Sequence, residues 1–321
     1  MEVLFTAAGS IGARHIRNLD AVCKEKGLDL QIDVIRHSQR ELAKDVKELL
    51  RREVREDVQL AGHYDVVFVT DETKTHFANI LKYRGRCSHM FIEKPVFADV
   101  NIPIEKVLPI PENAVYYVAA PIRFSKYFLK LAEYAKIEEI YAARIIFSSY
   151  MPDWQKGRDY RNSFRCFSDR GGGVDIDSLH EIDYMTALFG RPEDVLHAAG
   201  KYSNLAMEAC DLADYIFRYP DKLVELHLDY FGRVNNRRTE LFTKEDVIVV
   251  DFHKKTAVRQ LSGETEMFGP DDDFYLEEMR YFLDLVLLRN KKRNINTVEN
   301  AYETLKLAKG CVAETGGVYG L

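Results

Sequence analysis

Short apolar runs alternate with amphipathic segments through the first third of the chain, and this alternation constrains the fold more than any other feature. The runs at 3–6, 32–35, 65–70, 89–92 and 115–119 are predicted strands. The run at 65–70 has an unbroken apolar centre, which is typical of a strand buried on both faces of a parallel sheet. The pattern predicts an α/β fold, in which residues 1–120 form a doubly wound parallel sheet of the Rossmann type.

A second pattern begins after about residue 121. Runs at 140–150, 215–219, 223–231, 238–243 and 246–252 alternate apolar and polar residues, as strands do when one face of an antiparallel sheet meets water. We therefore expect residues 121–321 to form an α+β domain that is built on an open-faced, largely antiparallel sheet.

Three further segments are predicted helices. Charged residues at 41–53 indicate a helix in the first domain, and three glycines precede a helix at 177–189. Asn296 and Glu299 have capping-box spacing and begin a helix at about 297–309. We expect that this last helix can pack back on the first domain.

The charge balance and the cysteines limit the classes of partner. The chain has 321 residues, 45 Lys and Arg, 51 Asp and Glu, and a net charge of −6, which argues against nucleic acid or an anionic membrane as a partner. Its five cysteines are far apart and lack metal-ligand spacing, so they predict free thiols, no metal site and a reducing compartment. No apolar run reaches the length of a membrane span and no leader-like segment precedes the first strand, so we expect a cytoplasmic protein that binds a small molecule.

The first strand leads into a glycine-containing turn and then a helix. In a dinucleotide-binding turn, the middle glycine lets backbone N–H groups approach a pyrophosphate, and the last glycine lets helix and strand pack closely. Gly9 and Gly12 fill these two places, whereas Ala7 stands where the first glycine is usual. An ordinary strand-to-helix turn explains the same residues about equally well. The predicted phosphate-binding residues are Ala8, Gly9, Ser10, Ile11 and Gly12.

The end of the second strand carries the residues that would distinguish NAD from NADP. Arg36 lies 24 positions after Gly12 and is followed by His37 and Ser38. An acidic residue here would bind the ribose 2′-hydroxyl of NAD, while an arginine can pair with the 2′-phosphate of NADP. The run therefore favours NADP over NAD. With about equal weight, Arg36 only stacks on the adenine ring, which needs no phosphate.

Glu93-Lys94-Pro95 follows another strand of the predicted parallel sheet, where ligands bind at the carboxyl ends of strands. A lysine at this position can reach both a nicotinamide and a substrate hydroxyl. The alternative is an ordinary surface loop.

A third motif consists of Gly171 to Gly173 followed by Asp177 and His180. On a continuous helix, positions i and i+3 share a face, so the carboxylate of Asp177 could orient the imidazole of His180 as a general base. Taken alone, the pair is better explained as a helix cap and a buried core histidine.

These motifs stand in one order along the chain, with Thr70, Asp71 and His76 between the glycine turn and Glu93. The order resembles the Gfo/Idh/MocA family, the glucose–fructose oxidoreductase and inositol dehydrogenase-like sugar oxidoreductases. The resemblance implies an active site between a Rossmann domain and a C-terminal sheet that forms homodimers or homotetramers. It also implies that Lys94, Asp177 and His180 are catalytic and that Thr70, Asp71, His76, Glu93 and Lys94 contact the cofactor.

The resemblance implies an NAD(P)-dependent enzyme that transfers a hydride between nicotinamide and a hydroxyl or keto carbon of a sugar. Arginine forks suit carboxylates and phosphates, so an acidic or nucleotide-activated sugar of surface polysaccharide metabolism is the expected substrate. Ion pairs with Asp153, Asp159 and Asp169 are the alternative role of the arginines. The alternative function is a non-catalytic NADP(H)-binding regulator of the same fold. The predicted substrate residues are Arg123, Trp154, Arg158, Tyr160 and Arg161.

Overall fold

The computed structural model describes residues 1–36, 39–55, 60, 62–154, 157–269 and 273–312. The strands are β1 Glu2–Phe5, β2 Gln31–Ile35, β3 Leu50–Val54, β4 Tyr64–Val69, β5 Cys87–Ile92, β6 Tyr116–Val118, β7 Ile140–Tyr150, β8 Asp194–Gly200, β9 Leu212–Arg218, β10 Leu223–Asp229, β11 Phe231–Thr243, β12 Val247–Asp251, β13 Thr256–Arg259 and β14 Thr265–Met267. The helices are α1 Ser10–Glu25, α2 Lys44–Glu48, α3 His76–Tyr83, α4 Lys126–Ile137, α5 Val174–Asp177, α6 His180–Phe189, α7 Phe274–Leu287 and α8 Val298–Ala308.

The chain divides into two compact units. Unit 1 contains Met1–Pro121 together with Asp272–Tyr302, and unit 2 contains Ile122–Asp271 together with the chain from Glu303. The sequence predicts a first domain of residues 1–120 and a second of residues 121–321. In the structure, the segment that contains α7 groups with unit 1 instead of with unit 2.

Unit 1 is a six-stranded parallel sheet in the order β3-β2-β1-β4-β5-β6. Its centre is aromatic. Phe5 stacks on Phe68 at 4.4 Å between ring centroids, Phe68 stacks on Phe91 at 5.0 Å, and Phe282 of α7 meets the rings of Phe68 and Phe91 edge-on. Because all four side chains are fully buried, α7 completes the core of this unit.

The predicted helix at 41–53 is confirmed only over Lys44–Glu48. The structure has the short helix α2 and then the edge strand β3, which pairs parallel with β2. Three consecutive residues of β3, Arg51, Arg52 and Glu53, are exposed, so the strand lacks the alternation that marks most strands. Charged side chains on an edge strand discourage pairing with another chain, and here they gave the segment the appearance of a solvated helix.

Unit 2 is built on an eight-stranded sheet in the order β14-β13-β12-β11-β7-β10-β9-β8. The pair β10 and β7 is parallel, and every other pair is antiparallel. The α/β fold class, with a second and largely antiparallel sheet, is therefore confirmed. Buried and exposed residues alternate along β9 and β10, as expected for a sheet with one uncovered face.

All five cysteines are free thiols. Within the described ranges, no helix has the length and apolar character needed to span a membrane. The described residues also contain no group of three or more His, Cys, Asp or Glu side chains arranged to hold a metal ion.

Candidate functional site

The turn between β1 and α1 requires glycine at position 12. A Cβ atom on Gly12 would lie 2.4 Å from the carbonyl oxygen of Ala7, a distance that real Cβ atoms do not tolerate. The hydroxyl of Thr70 donates a hydrogen bond to the same carbonyl at 2.7 Å, so the end of β4 holds the turn in place. Gly12 therefore has the close-packing role of the last glycine in a dinucleotide-binding turn.

The same turn leaves room for an anion in front of α1. A Cβ on Gly9 would meet nothing within 4 Å, and no side chain among the described residues caps the amino terminus of α1. The first turn of α1 contains no acidic residue, so its N–H groups and the helix dipole are available to a phosphate. Ala8, Ser10 and Ile11 complete this turn. These residues fit the pyrophosphate of a dinucleotide.

Arg36 at the end of β2 is buried rather than solvated. Its guanidinium donates to Glu53 Oε2 at 2.8 Å and to the carbonyl oxygen of Arg40. Glu53 lies on β3, the neighbouring strand. A carboxylate therefore already neutralises the arginine that favoured NADP. His37 and Ser38 lie outside the described residues.

Glu93 is buried at the end of β5 and is held by His15, a residue that the sequence interpretation missed. The distance from Glu93 Oε1 to His15 Nε2 is 2.5 Å, and Glu93 Oε2 accepts the backbone N–H of Lys94 at 3.2 Å. Burial raises the pKa of Glu93, but the hydrogen bond with His15 and the charges of His15, Lys94 and His76 outweigh it, so the pKa is lowered. The available signal was a histidine on the apolar face of α1, beside Ile16.

His76 ties together the two loops that follow β4 and β5. Its Nδ1 lies 2.9 Å from the carbonyl oxygen of Pro95, and its Nε2 lies 3.2 Å from the carbonyl oxygen of Asp71. The side chain of Asp71 in turn accepts a hydrogen bond from Asn79 at 2.8 Å. Lys94 lies between Glu93 and Pro95, so both neighbours of the candidate catalytic lysine are anchored.

In unit 2, the backbone before α5 requires glycine at three consecutive positions, 171–173. A Cβ on Gly172 would lie 2.4 Å from the carbonyl oxygen of Phe164, and Gly171 and Gly173 have φ values of 77° and 112°. Only glycine adopts these left-handed conformations readily.

The predicted helix at 177–189 is confirmed over His180–Phe189, but it does not include Asp177. Helix α5 ends at Asp177, and α6 begins at His180. The backbone at Ser178 has φ −91° and ψ 26°, which interrupts the helix. Asp177 and His180 therefore end one helix and begin the next, instead of sharing one helical face.

The carboxylate of Asp177 accepts hydrogen bonds from the side chains of Arg165 and Tyr230. Arg165 Nε donates to Asp177 Oδ2 at 2.6 Å, and the hydroxyl of the buried Tyr230 donates to the same oxygen at 3.1 Å. The charge of Asp177 raises the pKa of Arg165, while burial and then that same charge raise the pKa of Tyr230. Arg165 also lies 5.6 Å over the ring of Trp154. This cluster fixes the carboxylate three residues before His180.

The predicted substrate residues have different surroundings. Arg123 makes a partly buried bidentate pair with Asp183 at 2.8 and 2.7 Å. Arg161 makes an exposed bidentate pair with Asp159, as the ion-pair alternative expected.

The remaining three predicted substrate residues lie in the same region of the chain. Arg158 is exposed. The indole of Trp154 donates to Ser149 Oγ at 2.6 Å, and the Tyr160 hydroxyl accepts the N–H of Ala206 at 2.9 Å. The Tyr160 hydroxyl therefore keeps its own hydrogen for another acceptor.

No protein-family model and no curated protein sequence matches this chain. Solved structures match it over nearly its whole length. An oxidoreductase from Thermotoga maritima has 19% identity and a TM-score of 0.80, covering 98% of this chain and 97% of its own. Levoglucosan dehydrogenase in complex with NADH and levoglucosan has 15% identity and a TM-score of 0.78, with coverage of 97% and 95%. UDP-N-acetylglucosamine 3-dehydrogenase from Acidithiobacillus ferrooxidans has 18% identity and a TM-score of 0.75, with coverage of 96% and 95%. The chain shares the fold of these proteins.

Proposed function

We propose that this protein is an oxidoreductase of the Gfo/Idh/MocA type, which transfers a hydride between a nicotinamide cofactor and a hydroxyl-bearing carbon of a sugar. The proposal rests on the residues that follow the carboxyl ends of the strands in the unit 1 sheet. There, an uncapped helix terminus with open space at Gly9 stands at the same edge as the anchored Glu93-Lys94-Pro95 loop. Ligands of open parallel sheets bind at this edge. The fold of the matching dehydrogenases supports the same function.

The proposed roles follow from the chemistry of three side chains. The nicotinamide accepts or supplies the hydride when the cofactor is bound. Lys94 donates a hydrogen bond to the reacting oxygen, and His180 removes the hydroxyl proton in the oxidative direction. Asp177, which Arg165 and Tyr230 hold in place, is proposed to position His180. In reduction, the proton moves from His180 to the oxygen.

Replacement of Lys94 tests this assignment. Lys94→Ala should lower kcat by about 100-fold or more, a larger effect than its weakening of NADH binding measured by fluorescence titration. Lys106→Ala removes an exposed lysine of the same unit and is the matched control, with expected wild-type activity. An unchanged kcat in Lys94→Ala would refute the assignment. Tight cofactor binding without hydride transfer to any sugar would instead favour the non-catalytic regulator.

We propose that the cofactor preference is for NAD rather than the NADP favoured by the sequence. The 2′-phosphate of NADP would place a second anion beside Arg36, which Glu53 already neutralises at 2.8 Å. The ratio of kcat/KM for NAD and NADP tests this idea. Glu53→Gln removes the competing charge and should shift the ratio toward NADP by about tenfold, since one charge-assisted hydrogen bond contributes roughly that factor. A wild-type enzyme that prefers NADP would contradict the proposal.

For the substrate, we propose an acidic or nucleotide-activated sugar that contacts Arg158, with Trp154 and Tyr160 beside it. Both Arg158 and Arg161 are exposed, and Arg161 makes a bidentate ion pair with Asp159. Arg158→Ala should therefore raise KM for UDP-sugars and sugar acids but not for neutral sugars, and Arg161→Ala is the matched control. Equal effects of Arg158→Ala on neutral and anionic sugars would remove the proposal.

We further propose that the chain forms a homodimer or homotetramer through the sheet of unit 2. Tyr141, Leu196, Ile216 and Leu223 are large apolar residues on its strands, and between 42% and 66% of each is exposed. Exposed apolar patches of this kind mark interaction surfaces. Light scattering with Ile216→Asp tests the idea, because a buried charge at an interface should shift the mass toward the monomer. A wild-type monomer would contradict it.

A further inference from the structure

A cavity of about 490 Å³ lies in unit 1 at the amino ends of the parallel strands. Its lining includes Asp65 near the beginning of β4, Ser88 and His89 near the beginning of β5, and Arg289 shortly after α7. The glycine turn and the Glu93-Lys94-Pro95 loop follow the carboxyl ends of the strands, so the cavity is at the opposite edge of the sheet. Its volume is within the range of small-molecule sites, about 300–1,000 Å³.

His89 supplies a hydrogen-bond donor to this cavity. The side chain is buried, and its Nδ1 accepts the backbone N–H of Val115 at 3.0 Å, so the neutral ring carries its proton on Nε2. Burial lowers the pKa of His89, the charge of Arg289 lowers it further, and Asp65 opposes both with a smaller effect. The ring is therefore neutral at pH 7. None of the described residues forms a hydrogen bond with Nε2, which leaves this N–H for a ligand.

Arg289 has a backbone conformation that favours glycine. Its φ is 48°, in the left-handed region, directly after the C-cap of α7. The N–H groups of Arg289 and Asn290 already bond the carbonyls of Val286 and Leu285, so the guanidinium is not needed to close the helix. The side chain is exposed and forms no hydrogen bond or ion pair with a described residue. The guanidinium at the cavity is therefore a candidate ligand-binding group.

We propose that this cavity binds a small monocarboxylate with a short apolar body. The guanidinium of Arg289 and the Nε2–H of His89 hold the carboxylate, and Leu28 and Val286 contact the apolar body. Asp65 is the acidic side chain in the lining, and its Oδ2 accepts the backbone N–H of Glu2 at 2.8 Å. This carboxylate disfavours a second anionic group on the ligand. The proposal does not depend on the proposed oxidoreductase activity.

Calorimetric titration of the full chain at pH 7 with hexanoate, hexanamide and adipate tests the proposal. Hexanoate should bind more tightly than the uncharged hexanamide or the dianion adipate. Arg289→Gly should weaken hexanoate binding by about tenfold or more, since it removes a charge-assisted hydrogen bond. The same change should raise Tm, because glycine relieves the left-handed backbone. Lys255→Gly is the matched control. Lys255 has φ 58° in unit 2, so its replacement should raise Tm and leave hexanoate binding unchanged.

Three results would overturn the proposal: no binding of hexanoate, equal affinity for hexanoate and hexanamide, or undiminished hexanoate affinity in Arg289→Gly. Asparagine also tolerates a positive φ, so Arg289→Asn provides a second variant without the guanidinium. A loss of hexanoate binding in both variants, with folding retained, supports the assignment.

Discussion

Replacement of His15 tests how unit 1 holds the loop that carries Lys94. Phenylalanine at position 15 retains the ring contact with Phe91, whose centroid is 4.7 Å away, and removes only the partner of Glu93. Loss of this partner leaves the buried charge of Glu93 less compensated, which costs about 3–5 kcal/mol. Glu93 keeps the N–H of Lys94 at 3.2 Å, so we expect the lower figure, about 3 kcal/mol. For a unit of this size the corresponding fall in Tm is about 6–12 °C.

The pH dependence of the fall in Tm caused by His15→Phe provides a second readout. The pKa of Glu93 is lowered from 4.5 in the folded protein, so its stabilising contribution is complete above pH 4.5 and is lost as the pH falls through the lowered value. The difference in Tm between wild type and His15→Phe should therefore be largest near pH 7 and smaller in acid. His15→Gln, which keeps an N–H donor, should recover part of the stability. Thermal unfolding followed by circular dichroism measures all three proteins. An unchanged Tm in His15→Phe, or a loss independent of pH, would refute the reasoning.

Two further predictions concern the turn and the unit 2 cluster. Gly12→Ala should lower Tm, because its Cβ would lie 2.4 Å from a backbone oxygen, whereas Gly9→Ala should leave Tm unchanged and weaken NADH binding in fluorescence titration. A cofactor affinity in Gly9→Ala equal to wild type would contradict the role of the open space. Tyr230→Phe removes a hydrogen bond to the carboxylate of Asp177 and should lower the free energy of unfolding by about 1.5–3 kcal/mol in urea titrations, and wild-type stability would show that this bond contributes nothing.

Local patterns predicted most of the fold. The buried strand at 65–70 was recognisable because both faces of it are covered, and β7 has the predicted bounds, 140–150. Gly12 could be recognised because a strand, a turn and a helix follow one another without interruption. The edge strand β3 could not be recognised in this way, since only a strand with one covered face and one wet face alternates.

Long-range ion pairs explain most of what the sequence missed in the candidate site. Arg123 and Asp183 are 60 positions apart, and Arg36 and Glu53 are 17 apart, so neither pairing is visible from spacing. The pair of Arg161 with Asp159 spans two positions and was foreseeable. The helix break after Asp177 lies at Ser178, and the apolar periodicity of the segment does not reveal it.

The dependence of unit 1 on α7 has a consequence for synthesis on the ribosome. The rings of Phe68 and Phe91 are covered by Phe282, which the ribosome makes 161 residues after Pro121. At about 5–20 residues per second, that interval is roughly 8–30 s. Throughout it, the nascent six-stranded sheet exposes an aromatic surface. Unit 1 therefore completes its core only after the ribosome has made most of unit 2, even though it begins at the amino terminus.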